Sequence, residues 1–388
     1  MADYGFSTLS VHAGAQPDPA TGARATPIYQ TTAFAFEDAD HAAALFNLQV
    51  FGNIYSRIMN PTNAVLEERV AALENGRAGL ACSSGHAAQL LALHTLMSPG
   101  SEISQSFAKF DWHVKWADTR EPASFKAQIT DKTKALFAES IANPGGLITD
   151  IEALARIAHD AGVPLIIDNT LASPYLIRPI EWGADIVLHS ATKFLGGHGN
   201  SMAGIIVDGG KFDWGSGKFP TLSEPNPSYH GMRMWETFGD MAFAVATRVL
   251  ALRDLGASLS PMNAFLVLTG TETLPLRIQK HCDNALAVAR WLKANPKVAW
   301  VNYAGLEDNP SYALHRKYCP QGAGSVFTFG LKGGYEAGLK MVNSVKLFSR
   351  QLSDEDRAKA GAGNDVVRLS IGIEDAADII ADLDQAMA

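Results

Sequence analysis

The chain has 388 residues, 47% of them apolar and 19% charged, with a formal charge of −8. That size and balance exclude a minimal domain or a disordered tail and predict a globular protein with two or more domains and a substantial core. The negative charge argues against a nucleic-acid footprint, no stretch reaches the about 18 apolar residues of a membrane span, and the opening MADYGFSTLS lacks a charged-then-apolar leader pattern, so a cytoplasmic protein is expected. Cys82, Cys282 and Cys319 have no metal-like spacing; they predict free thiols in a reducing compartment and no metal site.

Residues 1–50 are rich in Gly, Pro, Thr and Ala and predict an extended arm with a short helix near 38–46. Such an arm cannot bury its own Tyr29, Phe34 and Phe36, so it is expected to pack on something else. Tyr55-Ser56-Arg57 falls in a loop before a helix over 61–73, with Pro61 suited to its first turn. Arg57 and Tyr55 fit either a phosphate clamp or a surface ion pair beside a packed aromatic. A strand over 80–83 leads through Ser84-Gly85-His86 into the apolar run AAQLLALHTLM. A small-residue turn opening a helix offers free N–H groups to an anion, although many strand–helix turns look alike.

Strands follow at 135–139 and 165–167, separated by a helix over 151–161 with a Thr149/Glu152 capping box and Gly162 at its end. Asn143-Pro144 reads as a turn. The run VPLIIDNT, 163–170, ends in Asp168, which either caps the next element or serves a site. The strand 186–188 enters His189-Ser190-Ala191-Thr192-Lys193, and another strand spans 203–207. Lys193 is either an ordinary exposed lysine or a site residue, since open α/β sheets bind ligands outside the carboxyl ends of their strands. The alternation predicts a mainly parallel sheet with crossovers. Residues 211–227 read as a loop, and a C-terminal domain is placed from about 240, with a helix over 272–292 interrupted near Pro275, strands at 326–330 and 366–371, and a closing helix over 375–387. Arg368, flanked by apolar residues, should be paired, with a structural carboxylate or with a ligand.

A lysine at one strand end and an acid at another, 25 residues apart, match what pyridoxal phosphate needs: an amine for its aldehyde and a carboxylate that keeps its ring nitrogen protonated. At these residues the chain resembles a known family. DNT at 168–170, HSATKF at 189–194, YSR at 55–57 and SSGHAA at 83–88 together are similar to the Cys/Met-metabolism group of pyridoxal-phosphate enzymes. Within it, FGNIYSRIMNPTNAVLEERVAALE and SGKFPTLSEPNPSYHG are similar to the O-acetylhomoserine sulfhydrylase branch. The resemblance runs from about residue 6 to the C-terminus.

The resemblance implies an aspartate aminotransferase-like α/β fold (fold type I) with an arm over 1–50 that clasps a neighbouring subunit, a large cofactor domain over 51–240 and a smaller C-terminal α/β domain over 241–388. It implies pyridoxal 5'-phosphate held by Lys193, Asp168, Ser84, Gly85, His86, Ser190, Thr192 and Asn143, with Tyr55 and Arg57 reaching the phosphate of the adjacent subunit in a homotetramer. It further implies that Lys193, Asp168 and Tyr55 carry the catalysis and that Arg368 with Asn143 holds the substrate carboxylate. The implied reaction is γ-replacement on O-acetylhomoserine by sulfide or a thiol. A methionine γ-lyase or a cystathionine γ-synthase or γ-lyase on the same scaffold, and a non-catalytic scaffold, are the rival readings.

Two stretches depart from the family. After 97–103 relatives carry a loop with a Tyr-Gly pair that stacks on the pyridine, and after 345–349 a loop with a His-Pro-Ala-Ser run. The expectation is that disordered loops were left out of the numbering near 103/104 and 349/350, rather than deleted. A step of about 3.80 Å between Cα atoms at both junctions would count against it.

Overall fold

The computed structural model describes residues 4–97, 110–347 and 366–388, so both junctions lie outside the described residues. The chain forms two compact units, Met1–Ala138 with Asp150–Pro275, and Glu139–Thr149 with Leu276–Ala388. The division therefore falls after Pro275 and not near 240. The reason is packing: Ala242, Phe243, Val245, Ala246 and Val249 are buried in one core with Leu80, Leu91, Ile186 and Ile206 of the first unit.

The first unit is built on a five-stranded sheet in the order β1-β5-β4-β3-β2, with β1 Ala78–Cys82, β2 Leu136–Glu139, β3 Leu165–Asp168, β4 Ile186–Ser190 and β5 Gly204–Asp208. Leu165–Ile167, Ile186–Leu188 and Ile205–Val207 are buried, the continuous apolar pattern of strands covered on both faces. β3 and β4 are parallel, with Asp168 opposite Leu188. β5 runs antiparallel to both β1 and β4, so the sheet is mixed where sequence predicts mainly parallel. Parallel strands need a crossover, usually a helix. Between Ser190 and Gly204 the chain makes only turns, and it returns beside β4 in the opposite sense.

The first unit's helices include α1 Phe6–His12, α2 Ala39–Phe46, α3 Pro61–Glu74, α4 Gly85–Leu96, α5 Pro122–Gln128 and α6 Ile151–Asp160, of which α3, α4 and α6 pack on the sheet. Asn60 caps α3 and Pro61 opens it, while Leu66, Val70 and Leu73 make its buried stripe. At α6 the cap is Asp150, whose carboxylate accepts from Ala153 N, and not the Thr149 of the capping-box reading; the Thr149 hydroxyl instead donates to Glu139 O at 2.6 Å. Residues 211–227 are more than a loop, because Trp214, Phe219 and Leu222 are buried and the Trp214 ring stacks on Phe243 at 5.2 Å. The interrupted helix resolves into Pro261–Glu272 and Leu274–Ala294, broken at Thr273. Pro275 has no N–H to continue the first helix and suits the opening turn of the second.

The second unit holds a three-stranded antiparallel sheet, β6 Val298–Asn302, β7 Val326–Leu331 and β8 Val366–Ser370, in that order. β6 carries no alternation strong enough to be foreseen from sequence. Residues 139–149 belong to this unit: Ile141 bridges Ile148, and a β-carbon on Gly146 would lie 2.9 Å from Val326 O. Among the described residues no helix is long and apolar enough to cross a membrane. The three cysteines are free and buried, as the sequence suggests.

At the end of β5, Asp208 is buried and accepts from Gly210 N at 2.9 Å and Ala244 N at 3.2 Å. Burial pushes its carboxyl up to about 7, against the pull of those two amides. His159, hydrogen-bonded to Asp185 at 2.9 Å, is raised by that partner. Both groups bind protons more tightly folded than unfolded. Their contribution is full below the unfolded pKa and is lost as pH rises through the folded one. Tm is expected to fall between about pH 4 and about pH 7 on account of Asp208, and Asp208→Asn to flatten that fall. Thermal melts across this range check it; an unchanged slope in the variant would refute the assignment.

Candidate active site

Of the residues singled out in the first unit, Asp168, Ser190, Thr192 and Lys193 lie at or just past the carboxyl ends of β3 and β4, and Ser84, Gly85 and His86 at the start of α4. Asp168 is the last residue of β3, and its Oδ1 accepts from Thr170 N at 3.0 Å. The parallel register sets Asp168 beside Leu188, two residues before Ser190. Ser190 N donates to the Thr170 hydroxyl at 2.8 Å, which ties the two strand ends together. Lys193 follows in a tight turn, with its N–H on Ser190 O at 3.1 Å and its carbonyl accepting from Gly197 N at 2.7 Å. The side chain of Lys193 is exposed.

The start of α4 meets the same place. Ser84 caps the helix through its hydroxyl, which accepts from Ala87 N at 3.1 Å. The amides of Gly85 and His86 belong to the first turn, which has no intrahelical acceptors, and the helix dipole points its positive end there. A β-carbon on Gly85 would lie 2.7 Å from Ser190 Cβ, so only glycine lets α4 come this close to β4. Gly204 serves similarly, since a β-carbon there would meet Ser84 O and Cys82 Sγ. His86 is exposed. Thr192 is engaged with the backbone: its hydroxyl donates to Ala203 O at 3.2 Å and accepts from Ala203 N at 3.1 Å.

Tyr55 and Arg57 form a pair of their own, with the guanidinium 5.3 Å from the ring centroid, and both are exposed. No described hydrogen bond joins them to Ser84–His86 or to Ser190–Lys193. Their loop is held by Ser56 N on Thr32 O at 2.8 Å and by Arg248, which donates to Ile58 O at 2.8 Å. Arg248 also pairs with Glu67 at 2.7 Å, and Glu67 accepts from Ala81 N at 2.8 Å. Sequence reasoning missed this Arg248–Glu67 anchor, because its partners are far apart in the chain and no motif contains them.

In the second unit Arg368 Nε donates to Asn143 Oδ1 at 2.9 Å, and Asn143 N donates to Glu139 at 2.7 Å. Among the described residues Arg368 has no carboxylate partner, so the structural ion pair weighed from sequence is not formed there. Partial burial holds its guanidinium below the usual arginine value. An arginine stays charged in such a setting, which leaves a cation suited to a planar carboxylate. No cluster of three or more possible metal ligands occurs among the described residues.

An exposed amine, a carboxylate on the adjacent strand and a helix N-terminus beside a serine thus share one end of the sheet. This donor set fits an anionic cofactor that bears an aldehyde and a basic ring nitrogen. A curated relative, the O-acetyl-L-homoserine sulfhydrylase of Leptospira meyeri, is 46% identical over 423 aligned residues that cover 98% of this chain and 96% of its own. The homocysteine synthase of Schizosaccharomyces pombe is also 46% identical and covers 98% of each chain. The solved structure of a candidate O-acetylhomoserine (thiol)-lyase from Campylobacter jejuni, which contains N'-pyridoxyl-lysine-5'-monophosphate, superposes with a TM-score of 0.94 at 36% identity, over 99% of this chain and 100% of its own. The family model for Cys/Met metabolism PLP-dependent enzymes matches residues 7–353 and 349–388, two pieces that meet at the second short stretch noted from sequence. The chain belongs to the Cys/Met metabolism PLP-dependent enzymes.

Proposed function

We propose that this protein catalyses γ-replacement on O-acetylhomoserine, with sulfide as the nucleophile and homocysteine and acetate as products. The observation that carries the reading is the convergence of Lys193, Asp168, Ser190 and the start of α4, in a chain 46% identical to sulfhydrylases over nearly its whole length. Pyridoxal phosphate, when bound, supplies an aldehyde for the lysine amine and a protonated ring that withdraws electrons from the substrate. Lys193 Nζ holds it and moves the α-proton of the substrate. Asp168 keeps the ring nitrogen charged by facing it with a carboxylate. Ser84, Gly85, His86 and Ser190 bind the phosphate, with Thr192 bracing their turn. In the net reaction the Cγ–O bond breaks, acetate leaves with its electron pair, and a Cγ–S bond forms.

Arg368 and Asn143 receive the substrate carboxylate. A charge-assisted hydrogen bond is worth about 1.5–3 kcal/mol, so Arg368→Ala is expected to raise KM for O-acetylhomoserine roughly 10–100-fold with a smaller effect on kcat. Arg368→Lys keeps the charge but loses the two-point fork, and falls between. Steady-state kinetics check this; an unchanged KM in both variants would remove Arg368 from the substrate site.

The proposal extends to a cytoplasmic homotetramer in which the arm and the Tyr55–Arg57 loop act on a neighbouring copy. Phe36, Phe46, Phe51 and Tyr55 are all exposed, which supports a surface that self-association covers. The deciding assay incubates the holoenzyme with O-acetylhomoserine, with and without sulfide. Homocysteine formed only with sulfide supports the proposal, whereas ketobutyrate formed in both cases would assign a γ-lyase instead.

A further inference from the structure

Glu74 closes α3 and is fully buried. Its Oε1 accepts from two side chains, Asn169 Nδ2 at 2.8 Å and His189 Nε2 at 2.6 Å. Asn169 immediately follows Asp168, and His189 immediately precedes Ser190. Asn169 is held further by its own N–H on Leu188 O at 2.8 Å and by Nδ2 on Ile177 O at 2.8 Å. The other carboxylate oxygen, Glu74 Oε2, is buried without a hydrogen-bond partner. Burying an acid in this way is costly, and a buried pair of this kind commonly stabilises a fold no better than apolar residues of the same volume. What the arrangement does provide is geometry: one oxygen on a helix end joins the ends of two adjacent strands.

We propose that Glu74, His189 and Asn169 form a positioning unit that sets the spacing between Asp168 and the Ser190–Lys193 turn, and with it the affinity for pyridoxal phosphate. The inference rests on the cofactor reading given above. Alternation along β4 turns His189 to the face opposite Ser190, so the unit acts from behind the site and touches no ligand. Its side chains occupy both strands at once, and a shift of one strand against the other breaks at least one bond to Glu74 Oε1. Supporting contacts of this sort hold a site to within the fraction of an ångström that binding needs.

The test uses purified full-length protein stripped of cofactor and titrated with pyridoxal 5'-phosphate, with tryptophan fluorescence read for Kd and thermal melts run beside it. Glu74→Gln and His189→Gln are expected to raise Kd about tenfold or more, and the double variant to be little worse than either single one. Leu154→Ala, a core truncation on α6, serves as a control that lowers Tm and leaves Kd within about twofold of the wild type. Variants of Glu74 and His189 that lose Tm but keep the wild-type Kd would overturn the inference. If Glu74→Gln does not fold, Asn169→Ser decides alone, because it leaves the Glu74–His189 bond in place; an unchanged Kd there overturns the inference as well. A wild-type chain that takes up no pyridoxal phosphate overturns both the inference and the reading beneath it. Normal uptake in the wild type with unchanged variants sinks the inference only.

Discussion

Lys193→Ala is expected to lower turnover of O-acetylhomoserine by at least about a thousandfold. On the proposed function the substitution removes two functions at once, the amine that takes the aldehyde and the base that moves the α-proton. It should cost little stability. Lys193 is exposed, and the turn around it is held by its backbone on Ser190 O and by Gly197 N on its carbonyl, neither of which needs the side chain. Product formation with sulfide, measured beside a thermal melt, checks both halves. A Tm close to the wild type with activity lost is the expected pair of results, and retained activity would remove Lys193 from the chemistry. Added alkylamines should not restore the wild-type rate, because an amine in solution lacks the held geometry that makes the proton transfer effectively unimolecular.

Asp168→Asn is expected to lower kcat by about a hundredfold or more, with a smaller change in KM. The side chain keeps its shape and can still accept from Thr170 N through its amide oxygen, so the end of β3 is expected to survive. What it loses is the negative charge. A ring nitrogen that faces a neutral amide is no longer held in its protonated form, and the pull on the α-carbon weakens where charge builds up during reaction. The effect should therefore fall on the chemical step and not on binding of substrate. Steady-state kinetics on the reconstituted variant, with cofactor content measured by absorbance, separates the two. A fall confined to KM would show that Asp168 orders the site without acting on the ring.

Much of this was legible in the chain because the informative residues lie at the ends of short apolar runs. Asp168 follows Leu165–Ile167 and Lys193 lies three residues past the strand Ile186–Ser190, so the strand assignments locate both. The seat at Ser84–Gly85 is legible for the same reason, as a small-residue turn between a strand and an apolar helix. The direction of β5 was not, because it depends on the absence of a helix in a stretch that contains three glycines and no helical period. The domain boundary was misplaced because residues 242–252 are as apolar and helical in pattern as those after 276; only their burial with β1, β4 and α4 assigns them to the first unit.

Short local patterns already point to the chemistry: a lysine and an acid at strand ends, a small-residue turn that opens a helix, and motifs that resemble one family. The tertiary structure alone decided which distant groups support that chemistry. Glu74 on Asn169 and His189, Arg248 on Ile58 and Glu67, and Asn143 on Arg368 are pairings across 95 to 225 residues of chain. No periodicity or propensity records such a contact, because it arises only when separate elements pack and buried polar atoms must find partners.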